Sequence, residues 1–552
     1  MASDSWDLAN FTFAIRSPFG SLYFMEKPTH QNKKKQWSTL SHNGVSFPPR
    51  YVSDPRTNVV WIRGEKLSMT PMQEEMAVAW AKKKGTPYVD DPIFQTNFLH
   101  DFLELFPKKY QNVKINEIEF PVLPEKVELT KEAKKALAAE RKRKRLELKE
   151  KFGYAIVDGA RTEIANWVVE PAGIFMGRGL HPFRGKWKHG ASEEDITLNL
   201  GRESPVPSGK WKVVNEPENM WIASWTDKLS GKVKYVWLHD SSSIRQARDK
   251  SKYDRAKKLE KDFGKVETYI LKSLGSKDLQ TSKIATACFL IDKLAMRVGD
   301  ERDEDEADTV GASTLRVEHL SFGPSWVDFD FFGKDYVRWQ KRLEVSPLEL
   351  RALQNLREFC SGKKPDDLVF DGITSRQVNE FFGKASSGLT AKVFRTYTAT
   401  SVVEEYLNHH SSFSETTPEY DKVFEAKLAN LEAAIRCNHK RTPPKTFEQS
   451  LENKRERLRK LMETKPKTEK QKEGLEQRIT KSKRVIELAE RSREYNLNTS
   501  LRNYIDPRVY KRWADHVGLD WKVLYSSTLQ RKMGWVESAP QSEAISIPAI
   551  QK

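Results

Sequence analysis

The chain has 552 residues, a formal net charge of +17 and a pI of about 9.4. That length allows several domains, and so large a positive charge calls for an acidic partner, either nucleic acid or a membrane surface. No apolar run is long enough to span a bilayer, and the N-terminus does not have the pattern of a secretory signal. Because the cysteines, Cys288, Cys360 and Cys437, are too scattered for a disulfide framework or a zinc site, we expect an intracellular, reduced protein.

The beginning of the chain predicts a mixture of strands and helices after a short extension, residues 1–36, to which no function can be assigned. Residues 57–62 predict a strand followed by a turn. Thr70 and Pro71 are the residue types expected at a helix N-cap and at the first helical position. The apolar spacing over residues 97–106 predicts a further helix.

A basic segment at 130–151 lacks proline and glycine and predicts a long, solvated helix. The alternatives are a plain surface helix, a face that follows phosphates and a nuclear-import patch. Strands are predicted beyond it, at 154–158 and 233–238. Between them, glycines flank Arg178, so the backbone can bring this arginine close to a DNA groove or phosphate, although the same tripeptide also occurs in ordinary loops.

The segment 282–300 predicts an amphipathic helix with one buried face. The residues that repeat along that face are Ile284, Cys288, Ile291, Ala295 and Val298. Arg297 lies one position off this face near the end of the helix, and Gly299 suits its terminus. An arginine at that place suits an anion, and the alternative is an ion pair with one of the acidic residues that follow.

Two paired strands are predicted next, at 315–319 and 327–331, because their residues alternate with a period of two. Gly333-Lys334-Asp335 then predicts the tip of a β-hairpin. A lysine at this tip is either an exposed turn residue or an ammonium that is placed against a substrate and donates a proton.

Two further helices each carry a candidate residue. The first runs from 390 to about 407, with Arg395 near its start. The second is predicted by apolar residues that share one face: Phe424, Leu428, Leu431 and Ile435. The prolines at 443–444 stop this helix, so His439 is expected on its last turn, as either a structural cap or a catalytic group.

The C-terminal part predicts a helical hairpin and then a short helical region. Residues 448–494 are dense in Lys, Arg and Glu, and breaks at 465–467 and at Gly474 separate two helical halves. Tyr504 follows, and Pro507 suits the first position of the next helix. Taken alone, Tyr504 is one of 16 tyrosines and equally suits a packing role.

Tyr504 and the cationic candidates form a set that can cleave a phosphodiester. A tyrosine that attacks phosphorus keeps the bond energy in a covalent intermediate. Arg297, Arg395 and His439 suit the extra negative charge on the non-bridging oxygens, and Lys334 can protonate the leaving alkoxide. The sequence has neither an acidic metal cluster nor a nucleotide-binding loop, so no metal and no cofactor is expected.

Several long motifs resemble those of the eukaryotic-type DNA topoisomerase IB family, in the same order, over about residues 37–537. They are Asp292–Gly299, Ala307–Gly311 with Leu315–His319, Phe332–Asp335, Gly388–Tyr397, Cys437–Phe447 and Thr499–Arg508. Their number and order make the resemblance highly specific. Met296 and Val298 depart mildly from the residues usual in the family beside Arg297, and we expect them to leave the chemistry intact.

The resemblance implies a role for each matched residue. Tyr504 matches the nucleophile that becomes linked to the 3′ phosphate of a nicked strand. Arg297, Arg395 and His439 match the groups that stabilise the transition state. Lys334 matches the general acid toward the 5′ hydroxyl and a minor-groove contact. The positions that line the cleavage site, where the family's camptothecin-type poisons bind, are matched by Arg178, Asp335 and Asn503.

The resemblance also implies an α+β multidomain architecture that encircles DNA as a clamp. The expected parts are an N-terminal extension (1–36), a mixed α/β DNA-binding cap (37–248), a mainly helical catalytic domain of the tyrosine-recombinase and topoisomerase IB type (249–447), a helical-hairpin linker (448–494) and a small helical C-terminal domain with Tyr504 (495–552). The implied partner is double-stranded DNA, no membrane is involved, and the protein acts as a monomer.

Two other functions stay open on the sequence. A tyrosine recombinase uses a similar set of residues but needs specific sites and multimers, and the cap and linker argue against it. A catalytically silent DNA clamp is equally consistent with the charge. Residues 1–36 differ from the long charged tail of the family's eukaryotic members, which favours an archaeal, otherwise non-nuclear or truncated member. We therefore expect the protein on DNA, in a nucleoid or in a nucleus.

Overall fold

A computed structural model of the chain describes residues 35–123, 130–177, 179–299, 310–333, 336–409 and 413–538. The predictions made for Arg178, for Lys334 and Asp335, and for nearly all of the N-terminal extension lie outside the described residues. Within these ranges, none of the helices combines the length and the apolar composition that a membrane-spanning segment requires.

The part of the chain before residue 243 combines short strands with a few helices. Its helices are α1 (Pro71–Ala81), α2 (Pro92–Leu103) and α3 (Lys131–Phe152). Its strands are β1 (Leu40–His42), β2 (Val59–Ile62), β3 (Glu65–Ser68), β4 (Ile118–Glu119), β5 (Tyr154–Val157), β6 (Ala160–Glu163), β7 (Gly173–Ile174), β8 (Trp187–Lys188), β9 (Thr197–Asn199), β10 (Lys212–Val214), β11 (Trp221–Thr226) and β12 (Val233–Trp237). They form sheets of order β3-β2-β4, β1-β5-β6, β10-β9-β11-β12 and β7-β8. The mixed α/β prediction for this part is confirmed.

Local signals set the starts of α1 and α2. The Thr70 hydroxyl accepts from the Gln73 backbone, the Gln73 side chain accepts from the Thr70 backbone, and Pro71 follows in the first turn, as predicted. Asp91 caps α2 in the same way. This helix therefore begins several residues before the predicted segment 97–106 and ends at Leu103.

An aromatic core lies between α1, α2 and the β3-β2-β4 sheet. Phe98 has no exposed surface, and its ring stacks on Trp80 at 4.5 Å and on Phe102 at 5.5 Å between centroids. A second core, which includes Leu198 and Ile222, lies under the β1-β5-β6 and β10-β9-β11-β12 sheets. The two cores give this part of the chain its own buried interior.

Helix α3 confirms the predicted basic helix. None of its described residues is buried, so it is held by helix propensity and by its cap at Thr130 rather than by a packed face. It is tied to the sheet at its end, where the Lys149 ammonium lies 2.7 Å from the Glu163 carboxylate.

The middle of the chain is mainly helical around one small sheet. The helices are α4 (Ser243–Leu274), α5 (Leu279–Leu294), α6 (Leu350–Cys360), α7 (Ser375–Ala385), α8 (Ala391–His409) and α9 (Glu419–Arg436). The sheet consists of β13 (Leu320–Phe322), β14 (Trp326–Gly333) and β15 (Val337–Glu344) in that order. Helix α4 runs unbroken through the predicted domain boundary at 248/249.

Helix α5 corrects the prediction for 282–300. It ends at Leu294, because Ala295 adopts the left-handed conformation with φ 51°. It is also buried on every side, including Thr286, Phe289 and Leu290, since α4, α6, α7 and α8 surround it. The apolar spacing in the sequence revealed only one of these faces.

The predicted strand at 315–319 is wrong. Residues Val317–His319 form a single 3-10 turn, closed by a hydrogen bond of 3.0 Å from the Arg316 backbone N–H to His319 Nδ1. Strand pairing begins one residue later, with Leu320 opposite Phe329. The second predicted strand is confirmed as part of β14, which pairs antiparallel with β15.

The C-terminal part is helical. Its helices are α10 (Phe447–Met462), α11 (Glu469–Arg491), α12 (Leu497–Asn503), α13 (Pro507–His516) and α14 (Ser527–Lys532). Helices α10 and α11 run antiparallel, with ion pairs of 2.6 Å from Arg455 to Glu490 and 2.7 Å from Arg493 to Glu448. Gly474 lies inside α11 rather than in the break, since one exposed helical glycine costs only about 1 kcal/mol.

We predict that Phe98→Ala destabilises the N-terminal part by about 3–5 kcal/mol, because it removes a fully buried ring between two stacked neighbours. The measurement is urea unfolding followed by tryptophan fluorescence. Leu146→Ala on α3 is the matched control, since Leu146 is 56% exposed, and its effect should stay below about 0.5 kcal/mol. Equal midpoints for the two variants would contradict the assigned core.

Candidate active site

Tyr504 is held from both sides along the backbone. It follows the last residue of α12, and its N–H donates to the Ser500 carbonyl at 2.9 Å. Pro507 takes the first position of α13, as predicted, and Asp506 caps that helix. From α8, the Thr400 hydroxyl, which donates to the Thr396 carbonyl at 2.7 Å, accepts from the Asp506 N–H at 3.1 Å and lies 3.2 Å from the Tyr504 carbonyl oxygen. These contacts fix the backbone around Tyr504. The orientation of the phenol ring is set instead by the side chains that surround it.

The Tyr504 hydroxyl contacts a buried arginine. Arg395 Nη1 on α8 donates to the hydroxyl oxygen at 2.9 Å, and the guanidinium carbon lies 4.7 Å from the centre of the phenol ring. Tyr504 is 7% exposed and Arg395 is 4% exposed. A hydrogen bond from a charged donor is stronger than one between neutral groups, so this contact holds the phenol oxygen in place.

The second terminal nitrogen of Arg395 joins the end of α9 to the same cluster. Nη2 donates to the Cys437 carbonyl at 3.0 Å and lies 3.3 Å from His439 Nε2. The His439 and Tyr504 rings are 4.9 Å apart between centroids. Three of the predicted residues, Tyr504, Arg395 and His439, therefore form one contiguous group.

His439 does not lie on the last turn of α9, which corrects the prediction. The helix ends at Arg436, and Asn438 then adopts a left-handed conformation with φ 50°. The His439 N–H donates back to the Ala434 carbonyl at 2.8 Å, and the Asn438 N–H to the Ile435 carbonyl at 3.1 Å. This pattern ends a helix without any proline, and it turns the imidazole inward.

Burial, together with the neighbouring charges of Arg395 and Arg297, lowers the pKa of His439 to about 3. The imidazole is therefore neutral at neutral pH and keeps one N–H donor. Among the described residues, His439 Nδ1 and Arg395 Nε are buried without a hydrogen-bond partner. Buried polar atoms of this kind are normally paired, so the Arg395 Nε–H suits an additional acceptor in the site and His439 Nδ1 suits an additional partner.

Arg297 lies in a loop after α5, not on the helix as predicted. Its carbonyl accepts from the Ala312 N–H at 2.8 Å, which ties this loop to the 3-10 turn that begins at Ala312. Burial lowers the pKa of Arg297, and the charge of Arg395 lowers it further, while contact with Tyr504 acts in the opposite direction. Arg297 thus faces the same cluster from a third element.

A cavity of about 230 Å³ opens at this cluster. Its lining residues are Ala295, Met296, Arg297, Val310, Gly311, Phe331, Gly333, Val337, Trp339, Arg395, Cys437, Asn438, His439, Lys440, Arg441, Thr442, Asn496 and Thr499. Among these described residues are four guanidinium or ammonium groups and no carboxylate. A concave site with that balance of charge suits an oxyanion such as a phosphate ester.

The other predicted site residues stand differently. Gly333 and Val337, which flank the predicted tip at Lys334 and Asp335, line the cavity, whereas the tip itself lies outside the described residues. Arg178 also lies outside them, and a Cβ on the following Gly179 would lie 2.5 Å from the Tyr336 ring. That close approach brings this loop against the β14–β15 hairpin.

Asn503 lies beside the site but is turned onto its own helix. Its side-chain amide donates to the Thr499 carbonyl at 3.2 Å. Its backbone carbonyl accepts from the Lys252 ammonium at 3.0 Å. It is adjacent to Tyr504 in the chain, as predicted, but it is not among the described residues that line the cavity.

Sequence reasoning missed Thr400 and Lys341. Thr400 gives no signal in the sequence, because its contact with Tyr504 joins distant segments. Lys341 does give one, since it occupies an inward position of β15 between Trp339 and Leu343. A lysine in the buried register of a strand is an exception that the alternating pattern makes visible.

Comparison with known families covers nearly the whole chain. The family model described as the DNA-binding fragment of eukaryotic DNA topoisomerase I matches residues 35–238. The model of the catalytic core of the same enzyme matches 241–472, and that of a C-terminal topoisomerase domain matches 476–543. The three matches follow one another along the chain, from the N-terminal part through the middle to the C-terminal part.

Curated relatives point to the same family. The chain is 35% identical to DNA topoisomerase 1 beta of Arabidopsis thaliana over 91% of its length and 58% of the relative's. It is 34% identical to DNA topoisomerase 1 of Drosophila melanogaster, over 91% and 54% of the two lengths, and 33% identical to that of Homo sapiens, over 91% and 70%. The chain thus spans less than two thirds of the plant and fly relatives.

We predict that the His439 imidazole stays neutral from about pH 8 to about pH 5, because burial opposes its charge. The measurement is the nitrogen chemical shifts of the ring in a pH titration by NMR. Arg395→Met should raise the pKa of His439, since it removes a neighbouring positive charge. Because the folded pKa lies below the ordinary value of 6.5, the stability associated with the neutral ring should decline as the pH falls below 6.5. A midpoint above about pH 6 in the unmodified chain would contradict this prediction.

Proposed function

The chain belongs to the eukaryotic DNA topoisomerase I family, and from this premise we propose that it is a type IB topoisomerase. It relaxes positive and negative supercoils in double-stranded DNA by cutting one strand, letting the free end rotate and resealing the cut. The observation that carries this proposal is the contact of 2.9 Å between Arg395 and the Tyr504 hydroxyl, beside a cavity whose described lining is cationic and free of carboxylates.

In the proposed reaction the Tyr504 oxygen attacks a backbone phosphorus while the phenol proton passes to solvent water. The bond from phosphorus to the 5′ oxygen is cleaved, and that oxygen takes a proton from Lys334. The product is a 3′-phosphotyrosine, which keeps the energy of the broken bond and makes ATP unnecessary. Resealing is the same step in reverse, with the 5′ hydroxyl as nucleophile. No redox or metal-dependent step is required by this balance.

The cationic residues stabilise the transition state in this proposal. Attack adds negative charge to the non-bridging oxygens, and donors that are already fixed in a site with little water interact strongly with that charge. Arg395 and His439 are fixed through Cys437 and through each other, and Arg297 faces them from the loop after α5. The neutral His439 contributes a hydrogen bond rather than a charge.

Lys334 is proposed as the general acid that protonates the 5′ oxygen as it leaves, and as a minor-groove contact. Its support is the family motif and the position of Gly333 and Val337 at the cavity. Arg178, Asp335 and Asn503 are proposed to contact DNA at the cleavage site. For Asn503 this requires a change of its side-chain hydrogen bond to Thr499.

We also propose the division into a cap (37–248), a catalytic domain (249–447), a linker (448–494) and a C-terminal domain (495–552), acting as a monomeric clamp around DNA. The family match at 35–238 supports the cap, whereas the match to the catalytic core, 241–472, ends inside the proposed linker. The antiparallel helices α10 and α11 support the linker itself. The exposed basic helix α3 and the net charge of +17 suit long-range attraction to the duplex.

The plant, fly and human relatives give no support to the archaeal origin that the N-terminal segment suggested. We therefore assign the protein to nuclear DNA of a eukaryote. This assignment rests on the relatives alone.

We predict that the protein relaxes plasmids of either supercoil sign in chelator without nucleotide, and that Tyr504→Phe slows relaxation by at least about a thousandfold by removing the nucleophile. DNA binding should change less than about threefold, because phosphate contacts supply most of it. Tyr525→Phe, in the same C-terminal part, is the matched control and should relax DNA normally.

Mass spectrometry of the denatured reaction checks the linkage. A peptide whose Tyr504 is attached to a 3′ phosphate of DNA would support the proposal. A peptide attached to a 5′ end of DNA would refute it. Relaxation only of plasmids that carry a particular site would instead indicate a recombinase. Binding without any relaxation would leave only the silent clamp.

We predict that Lys334→Ala slows single-turnover cleavage by about a hundredfold or more, because the leaving oxygen then lacks its proton donor. The loss should be much smaller on DNA with a sulfur in place of the 5′ bridging oxygen, since a thiolate leaves without a proton. Equal losses on the two substrates would remove the acid role from Lys334.

A further inference from the structure

Lys341 is half-buried at the junction of two helices that supply site residues. It lies on β15, and its register opposite Phe329 directs its side chain to the inner face of the sheet. Its ammonium donates to the Arg436 carbonyl at 2.8 Å and, in a longer contact, to the Leu294 carbonyl at 3.4 Å. The first carbonyl belongs to the last residue of α9 and the second to the last residue of α5.

Both carbonyls are acceptors that a helix leaves unpaired at its end, where the aligned peptide dipoles also concentrate negative charge. One ammonium therefore joins two helix C-termini by hydrogen bonding and by charge. In each case the chain next passes through a left-handed residue, Ala295 or Asn438, with φ of 51° and 50°.

The site residues follow directly. Arg297 comes three positions after Leu294, and His439 three positions after Arg436. The backbone between Arg436 and His439 is also held by Arg395, whose Nη2 donates to the Cys437 carbonyl at 3.0 Å. A shift of either helix end would thus move Arg297, His439 and the partner of Arg395 relative to one another.

We propose that Lys341 is a positioning residue for DNA cleavage, which sets the separation of Arg297 and His439 by binding the ends of α5 and α9 together. This inference rests on the proposed topoisomerase function and adds a residue outside the reacting groups. Lys341 is not among the described residues that line the cavity, so it acts through its two carbonyl contacts.

The charged groups around Lys341 show that its ammonium is not held by an ion pair within the described residues. In the described part of the chain, Lys341 forms no salt bridge, and the charged groups that face it are cations: Arg436, Arg395 and Lys440. The remaining titratable neighbour is the Cys437 thiol. Placing an ammonium among cations costs free energy. The hydrogen bonds to the two helix carbonyls offset that cost.

The same surroundings make the contact sensitive to pH. Burial, together with the charge of Arg436, lowers the pKa of Lys341 to about 8. The charged, tightly bonded form therefore predominates at neutral pH and is lost as the pH rises through about 8. The cleavage rate of the unmodified chain should therefore fall as the pH rises through about 8.

The test compares Lys341→Met, which keeps the length of the side chain without its charge, with Lys341→Arg, which keeps the charge at all relevant pH values. Arg342→Met is the matched control, since Arg342 is on the outward register of the same strand and pairs with Asp328. The measurements are single-turnover cleavage on a DNA that traps the Tyr504 adduct, the Kd for the same DNA, and the midpoint of thermal unfolding.

Lys341→Met should cleave about ten to a hundred times more slowly near pH 7, because a small displacement of fixed groups has effects of that order, with Kd changed less than about threefold. Its alkaline decline should disappear, and in Lys341→Arg the decline should move above pH 9. Arg342→Met should match the unmodified chain in rate and in pH profile. A Lys341→Met variant with an unchanged rate, or with a slower rate and an unchanged pH profile, would overturn the proposal.

A readout without catalysis separates this proposal from the proposed function. The ring-nitrogen resonances of His439 should shift in Lys341→Met and stay in place in Arg342→Met. An unmodified chain that forms no adduct would refute the topoisomerase function. If it forms the adduct but His439 does not respond to Lys341→Met, only the positioning role fails. If Lys341→Met does not fold, the same comparison is made with Lys341→Arg and the pH profile alone.

Discussion

The buried guanidinium of Arg395 is the charge on which the other parts of the site depend. Its terminal nitrogens bond the Tyr504 hydroxyl and the Cys437 carbonyl, and one of them also meets His439. A buried cation is costly unless it is paired, and within the described residues Arg395 forms no ion pair. Arg297 adds a second positive charge to the same site. The cluster therefore holds positive charge that no carboxylate balances within the described residues, an arrangement that suits an anion.

The residues of the site are carried by helix ends rather than by helix middles, apart from Arg395. Arg297 follows α5, His439 follows α9 and Tyr504 follows α12. Where a helix ends, the backbone can turn sharply and its last carbonyls remain free to accept hydrogen bonds. Arg395 and Lys341 use two such carbonyls at the end of α9, so the terminus that aims His439 is also the one that holds the cluster together.

The exposed surfaces have a different physical basis. Helix α3 has no buried residue in the part that is described. Helices α10 and α11 bury Leu451, Leu475 and Ile486 and also carry surface ion pairs such as Arg455 with Glu490. Pairs of this kind each contribute little at physiological salt. Long-range attraction by the excess positive charge does not depend on such fixed geometry. Packing precision is thus concentrated around Tyr504, while charge is spread over the surface.

The sequence by itself determined the features that depend on neighbours a few positions apart. Thr70 with Pro71, and Pro507, mark helix starts, because a cap and a first-turn proline act within one turn. The ordered motifs around Arg297, Arg395, His439 and Tyr504 were enough to identify the family. Only the tertiary structure decided where α5 and α9 end, that α5 is buried on all sides, and that Lys341 joins the two helix ends. Arg395 meets Tyr504 across 109 positions of sequence, and such a contact follows from the packing of whole helices, which no local periodicity encodes.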